Sequence, residues 1–315
     1  MKNVKYILAG IMLVTILFQS CEDLNDVETP DFNVTYTNQT IKAGEPIEFK
    51  VENAPNFLNF YSGEFSHEYK YRERTKAEGT IYMSFNNAQK WGLGENAKGT
   101  LSVHVSSDYD GSGTKEAITQ ATWTDISDRF NISEAYTYDW TFSGEADITD
   151  LDNGGLAYFA IRFYAEKTSL DGHRQPEWRI NNFNISRDLD DSGNFLEIFN
   201  KAVDNKSGFT SISVDDGVYD WNGHNWYWDS GKKVWRMRSE NPRHGNDDWL
   251  VTDAINLSII QPDKGMPLKT YPESLESFTY TYEQPGTYTV TLVGNNTTAY
   301  GHKELVKEFT ITVTE

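Results

Sequence analysis

Residues 277–292 read Ser277-Phe278-Thr279-Tyr280-Thr281-Tyr282-Glu283-Gln284-Pro285-Gly286-Thr287-Tyr288-Thr289-Val290-Thr291-Leu292. Aromatic and aliphatic residues alternate with polar ones on both sides of a Pro-Gly pair. Successive side chains of a strand point to opposite faces, so this pattern predicts two half-buried strands. The Pro-Gly pair predicts a turn between them. Period two recurs at Ile47, Phe49 and Val51, at Leu101, Val103 and Val105, and at Phe309, Ile311 and Val313; Tyr158–Tyr164 also reads as a strand. Turn chemistry stands between these runs at Ala43-Gly44, Asp110-Gly111-Ser112-Gly113 and Asn153-Gly154-Gly155. Short strands at such spacing predict an all-β chain built of sandwiches. One short helix is expected, near Asn194–Val203.

The two ends read as halves of one small domain. Thr40-Ile41-Lys42-Ala43-Gly44-Glu45-Pro46-Ile47-Glu48-Phe49 is a strand-turn-strand opening, and residues 277–313 supply the close. Together they resemble the PKD (polycystic kidney disease) domain, an immunoglobulin-like sandwich whose final hairpin carries a tyrosine-rich strand and then Pro-Gly-Thr-Tyr-Thr-Val. Where that family shows a Trp-Asp-Phe-Gly-Asp-Gly-like stretch, this chain has Phe60-Tyr61-Ser62-Gly63-Glu64. Roughly two hundred residues lie between the halves, far more than a sandwich loop holds. The expectation is therefore a discontinuous domain, 31–72 plus 263–315, interrupted by an inserted domain at 73–262. Within the insert, the segments 101–111, 121–127, 143–148, 157–163, 178–185 and 247–252 resemble, in order, the jelly-roll modules of cleaved adhesins. That resemblance implies a carbohydrate-binding-like β jelly-roll.

The N-terminus bears on compartment. Lys2 and Lys5 precede an uncharged run from Tyr6 to Phe18, then Gln19, Ser20 and the single cysteine, Cys21. This reads as a secretory signal over residues 1–20. Ser20-Cys21 resembles the bacterial lipobox, with Phe18 where that motif usually has Leu, and implies lipidation of Cys21. One cysteine cannot form an internal disulfide. Glu22, Asp23, Asp26 and Glu28 form an acidic linker over 21–30 and resemble the surface-export signal of Bacteroidetes lipoproteins. Localisation at the outer membrane facing the exterior, held only by the lipid anchor, is the resulting expectation. The formal net charge is −19, and loss of Lys2 and Lys5 with the signal makes it two units more negative. Such a surface repels nucleic acid. Lipobox, split sandwich and Tyr61-Ser62-Gly63-Glu64 together resemble a Bacteroidetes surface lipoprotein family of unknown function. Its members are commonly encoded beside SusC/SusD-type glycan importers, which implies glycan capture in polysaccharide uptake.

Catalytic signatures are missing from the sequence. The six histidines show neither a His-Glu-x-x-His pattern nor metal-ligand spacing, and no Gly-x-Ser-x-Gly elbow or phosphate loop occurs. With 47 acidic residues, carboxylate pairs arise by chance, so no glycosidase dyad is legible. A non-enzymatic protein without a cofactor is expected. Asp108, Asp110, Ser112 and Gly113 begin like a calcium loop, as do Asp188, Asp190, Ser192 and Gly193, but position twelve is Thr119 or Phe199 rather than Glu. A structural calcium at Asp108 and Asp110 is implied by the jelly-roll resemblance; the alternative is that Asp and Gly serve the turn itself.

The densest local feature is Trp221-Asn222-Gly223-His224-Asn225-Trp226-Tyr227-Trp228-Asp229-Ser230-Gly231-Lys232-Lys233-Val234-Trp235, with four tryptophans in fifteen residues. Aromatic rings can bury the apolar face of a pyranose while amides and carboxylates take its hydroxyls. Trp221, Trp226, Trp228 and Asn225 are thus candidate glycan contacts. In a strand Trp226 and Trp228 share one face and Tyr227 takes the other. Core packing is the competing reading, since large aromatics dominate sandwich interiors. Trp123, Trp140, Trp178 and Trp249 lie in strand patterns and read as core. Two functions remain: glycan binding, or a structural or adhesive role with a protein partner.

Overall fold

The tyrosine-rich stretch forms two strands, Ser277–Thr281 and Gly286–Thr298, but they do not pair with each other. Ser277–Thr281 pairs with Pro46–Glu52, and Gly286–Thr298 forms its hairpin with Gly301–Thr314. Pro285-Gly286 is therefore a crossing from one sheet to the other rather than a hairpin turn. The reason lies in Tyr282, fully buried after the first strand, whose hydroxyl donates to the Ser62 carbonyl at 2.9 Å. A side chain so committed holds the chain against the core between the two sheets. The computed structural model describes residues 27–93, 97–134, 136–167, 173–189, 193–201, 207–215, 225–238 and 245–315. The signal, Cys21 and Trp221 lie outside the described residues.

The chain divides into two units, one formed by residues up to Glu73 together with Pro262–Glu315, the other by Arg74–Gln261. In the first, a three-stranded sheet runs in the order Asn33–Tyr36, Pro46–Glu52, Ser277–Thr281. A five-stranded sheet runs Met266–Lys269, Phe57–Tyr61, Gly286–Thr298, Gly301–Thr314, Thr40–Lys42, the last pair parallel. Ile47, Phe49, Val51, Leu58 and Phe60 from the early strands meet Val290, Leu292, Ile311 and Val313 from the late ones. The Tyr61-Ser62-Gly63-Glu64 segment ties the halves together. Gly63 has φ +81°, and a Cβ on it would stand 2.5 Å from the Thr289 carbonyl oxygen, so only glycine fits. Glu64 accepts hydrogen bonds from the Ser62 and Tyr280 hydroxyls.

The second unit is also a β-sandwich. One sheet runs Phe209–Asp215, Asn246–Thr252, Leu156–Ala165, Leu101–Ser106, Thr124–Asp125, with Ile255–Asn256 also on Leu156–Ala165. The facing sheet runs Tyr227–Asp229, Val234–Arg238, Glu177–Asp188, Thr80–Lys90, Thr141–Phe142, with Phe195–Lys201 and Ala146–Asp147 on its long central strands. Met83, Phe85, Val103, Phe159, Ile161, Phe163, Trp178, Ile185 and Leu250 fill the space between. Alternation along each strand dictates this, since odd positions of Thr80–Lys90 face inward and even positions outward.

Two expectations fail here. Where a helix was expected near Asn194–Val203, Phe195–Lys201 is a strand that pairs antiparallel with Glu177–Asp188 across a bulge. Sheet pairing overrides the ambiguous local pattern of a short apolar run. A helix instead occupies Lys115–Gln120, capped by Thr114, whose hydroxyl accepts from the Ala117 amide. Its Ala117 and Ile118 pack with Ala160, Ile212, Trp249 and Val251, covering the outward face of the six-stranded sheet. Trp140 was expected in the core and is 45% exposed. Among the described residues no helix is long and apolar enough to cross a membrane.

Candidate functional site

The outward face of the seven-stranded sheet has no covering cluster among the described residues, unlike its counterpart under the helix. Its side chains follow from register. Trp178, Ile180, Trp235 and Met237 point into the core, so their strand neighbours Glu177, Arg179 and Arg236 point out. Tyr227, Arg236, Arg179 and Ala88 are aligned across four adjacent strands, and Phe142, Asn86 and Asn181 across three. Further along, Ser84 faces Asn184 and Tyr82 faces Ser186, continuing a row of short amides and hydroxyls.

At one end of this face stand Trp91 and Tyr138, both in the left-handed backbone region, with φ +69° and +65°. Bulky side chains rarely adopt that conformation. Trp91 is 46% exposed, and Phe142 is 54% exposed. The Lys90 ammonium lies 4.3 Å from the Trp91 ring centre and 4.8 Å from that of Tyr138. Arg174 lies 5.2 Å from the Trp91 ring, and Arg179 stacks on Tyr138 at 3.6 Å. Cations at these distances are drawn by the ring quadrupole.

Beside them a buried charge network is closed. Arg236 holds Glu177 through both oxygens at 2.7 Å and reaches Asp229 at 2.9 Å, while Arg179 donates to Glu177 at 3.2 Å. Burial would raise the Glu177 pKa, but the hydrogen bonds from Arg236 and Tyr138 outweigh it and hold the carboxyl below its ordinary value. The hydrogen bonds to Glu177 raise Arg236 in turn. Tyr138 is raised by burial and then by the hydrogen bond to Glu177.

The tryptophan-rich segment divides between the two sides. Trp226 is 2% exposed, lies in the core, and its indole donates to the Asp248 carbonyl. It is not a surface contact; this corrects its candidacy. Trp228 packs against the same core and makes an edge contact with Trp235, as the shared strand face requires. Asn225 accepts from the Ser211 hydroxyl and the Trp226 amide, so its side-chain oxygen serves the turn. Among the described residues of this segment, Tyr227 and Asp229 reach the outward face. Trp178 and Trp249 are buried as expected.

Asp108 accepts from the Ser106 hydroxyl and the Thr122 amide, and Asp110 from the Ser112 amide. These bonds lower both carboxyls, the Ser106 hydroxyl acting most on Asp108 and the Ser112 amide on Asp110. Both residues serve their turn; no group of three or more His, Cys, Asp or Glu among the described residues could hold a metal ion. Ser102 and His104 stand 2.8 Å apart, the His104 ring packs on Trp249, and its other nitrogen has no hydrogen-bond partner among the described residues. A cleft of about 410 Å³ opens at the sandwich end. Of its polar side chains, Trp178 donates to Thr100 and Gln89 donates to the Ser133 carbonyl, while the Gln89 side-chain oxygen has no hydrogen-bond partner among the described residues.

The outward aromatic end escaped the sequence reading. Trp91 sits between Lys90 and Gly92, with no aromatic neighbour in the chain, and its partners Tyr138 and Arg174 come from distant segments. The sequence model of the family described as Domain of unknown function (DUF5017) matches residues 20–204. Neither a curated protein nor a solved structure matches the chain.

Proposed function

The chain belongs to the family described as Domain of unknown function (DUF5017), and within it we propose a surface lipoprotein that binds glycan without catalysis. The site is the outward face of the seven-stranded sheet in the Arg74–Gln261 unit. One observation carries the reading: Trp91 and Phe142 are held exposed beside a row of partly exposed amides and hydroxyls, on a sheet face that no cluster covers among the described residues. Aromatic surface meets the C–H face of a sugar and the polar row meets its hydroxyls. The lipobox at Cys21 and the acidic residues after it support an anchor in the outer membrane facing outward, with the PKD-like unit next to the lipid. Resemblance to lipoproteins encoded beside SusC/SusD-type importers supports a role in polysaccharide uptake.

A glycan array probed with the chain from Asp31 onward tests this. Retention of one or more oligosaccharides is expected, with Trp91→Ala and Phe142→Ala weakening it at unchanged Tm, because exposed side chains have few packing partners. No glycan retained, or variants that bind like the parent, would overturn the reading. Capture of a protein partner alone would favour the adhesive alternative. In cells, Cys21→Ala is expected to release the protein from membranes; unchanged retention would refute the anchor.

A further inference from the structure

We infer that the sugar received at Trp91 is anionic, carrying a carboxylate or sulfate, an inference that rests on the glycan reading above. The chain is strongly acidic, with 47 Asp and Glu against 28 Lys and Arg. Most of the described arginines pair with a carboxylate. Arg129 is paired with Asp150, Arg162 with Asp247, Arg187 with Asp152, Arg179 with Glu177, and Arg236 with Glu177 and Asp229. Lys90 and Arg174 each lie over the Trp91 ring, and among the described residues neither forms an ion pair. Glu177, which faces Lys90 across the strands, is already held by Arg236 and Arg179. Two cations without a carboxylate partner among the described residues thus lie close to the exposed indole.

Backbone strain marks the same place. Left-handed conformations at non-glycine residues are costly and persist where surrounding structure enforces them, often at ligand sites. Trp91 and Tyr138 both carry this strain. For Trp91, burial is not the compensation, since nearly half its surface is exposed at 46%. The strained backbone presents an exposed indole with an ammonium 4.3 Å and a guanidinium 5.2 Å from its ring centre.

The chemistry of that arrangement fits one ligand class. Indole gives a sugar ring apolar contact, while the two cations offer charge-assisted hydrogen bonds to an anionic substituent. Beyond about 8 Å at physiological ionic strength, charge is screened. The protein's negative surface therefore opposes polyanions in general but not one whose charge reaches Lys90 and Arg174. Repulsion elsewhere adds selectivity, because an anion in the wrong register meets a surface on which carboxylates outnumber cations.

The test is an array in which each acidic glycan stands beside its carboxyl-reduced or desulfated form, followed by titration of the best pair. An acidic member is expected to bind at least tenfold more tightly than its neutral partner, the factor of about one charge-assisted hydrogen bond. Lys90→Gln and Arg174→Gln are each expected to remove most of that difference, and Arg174→Lys to restore part of it. Uronate and sulfate arms separate the two sources of charge. Thermal melts of each variant exclude loss through unfolding. Equal binding of acidic and neutral partners overturns this inference while leaving the glycan reading intact. Binding of neither overturns both, and an acidic preference unaltered in the two Gln variants overturns the assignment to Lys90 and Arg174.

Discussion

Trp226 and Tyr227 are neighbours in the chain, yet the pleat sends the indole into the core and the phenol to the outward face. Truncating each therefore has different consequences. Trp226→Ala leaves a cavity and removes the indole's hydrogen bond to the Asp248 carbonyl, and is expected to cost about 3–5 kcal/mol in a denaturant titration. Tyr227→Ala removes a ring at 5.8 Å from the Arg236 guanidinium and is expected to change stability by less than about 1 kcal/mol. A Trp226→Ala protein as stable as the parent would contradict the core placement. Competition between a sugar platform and a core was legible at these positions, but its outcome was not. Alternation says which residues share a face, not which face meets the second sheet.

Paired strands carry the next level. Glu177 on one strand and Arg236 on its neighbour form a bidentate pair with side chains 3% and 13% exposed. Losing one member of such a pair strands the other charge, at a cost of about 3 kcal/mol, reduced here because Asp229 also holds Arg236. Since the Glu177 pKa is depressed from its ordinary 4.5, the unfolded chain binds the proton more readily than the native one. The stabilisation is thus complete above about pH 4.5 and is lost as pH falls through the lower native value. Chemical denaturation between roughly pH 3 and 6 should show this acid-side slope in the parent and a shallower one in Glu177→Gln. Identical slopes would show that the pair does not couple to folding. No sequence pattern announced this network, because its members come from strands paired across the sheet, with nearly sixty residues between Glu177 and Arg236.

At the scale of the whole chain, the core of the first unit draws Ile47, Phe49, Leu58 and Phe60 from before the insert and Val290, Leu292, Ile311 and Val313 from after it. A fragment of 262–315 lacks half that core and leaves sheet edges open, so no cooperative melt is expected from it. The Arg74–Gln261 unit has its own core between two sheets, and a fragment of 74–261 is expected to melt cooperatively. A cooperative transition in isolated 262–315, or none in 74–261, would contradict this division. By itself the sequence determined the β character, most strand positions and the acidic surface, because period-two alternation, turn residues and charge are local properties. Only the tertiary structure decided that Ser277–Thr281 leaves its neighbour for the other sheet, that Phe195–Lys201 is a strand, and that Trp91 joins Lys90, Tyr138 and Arg174. Each of those outcomes depends on partners brought together by folding, and a contact between distant segments leaves no local trace in one chain.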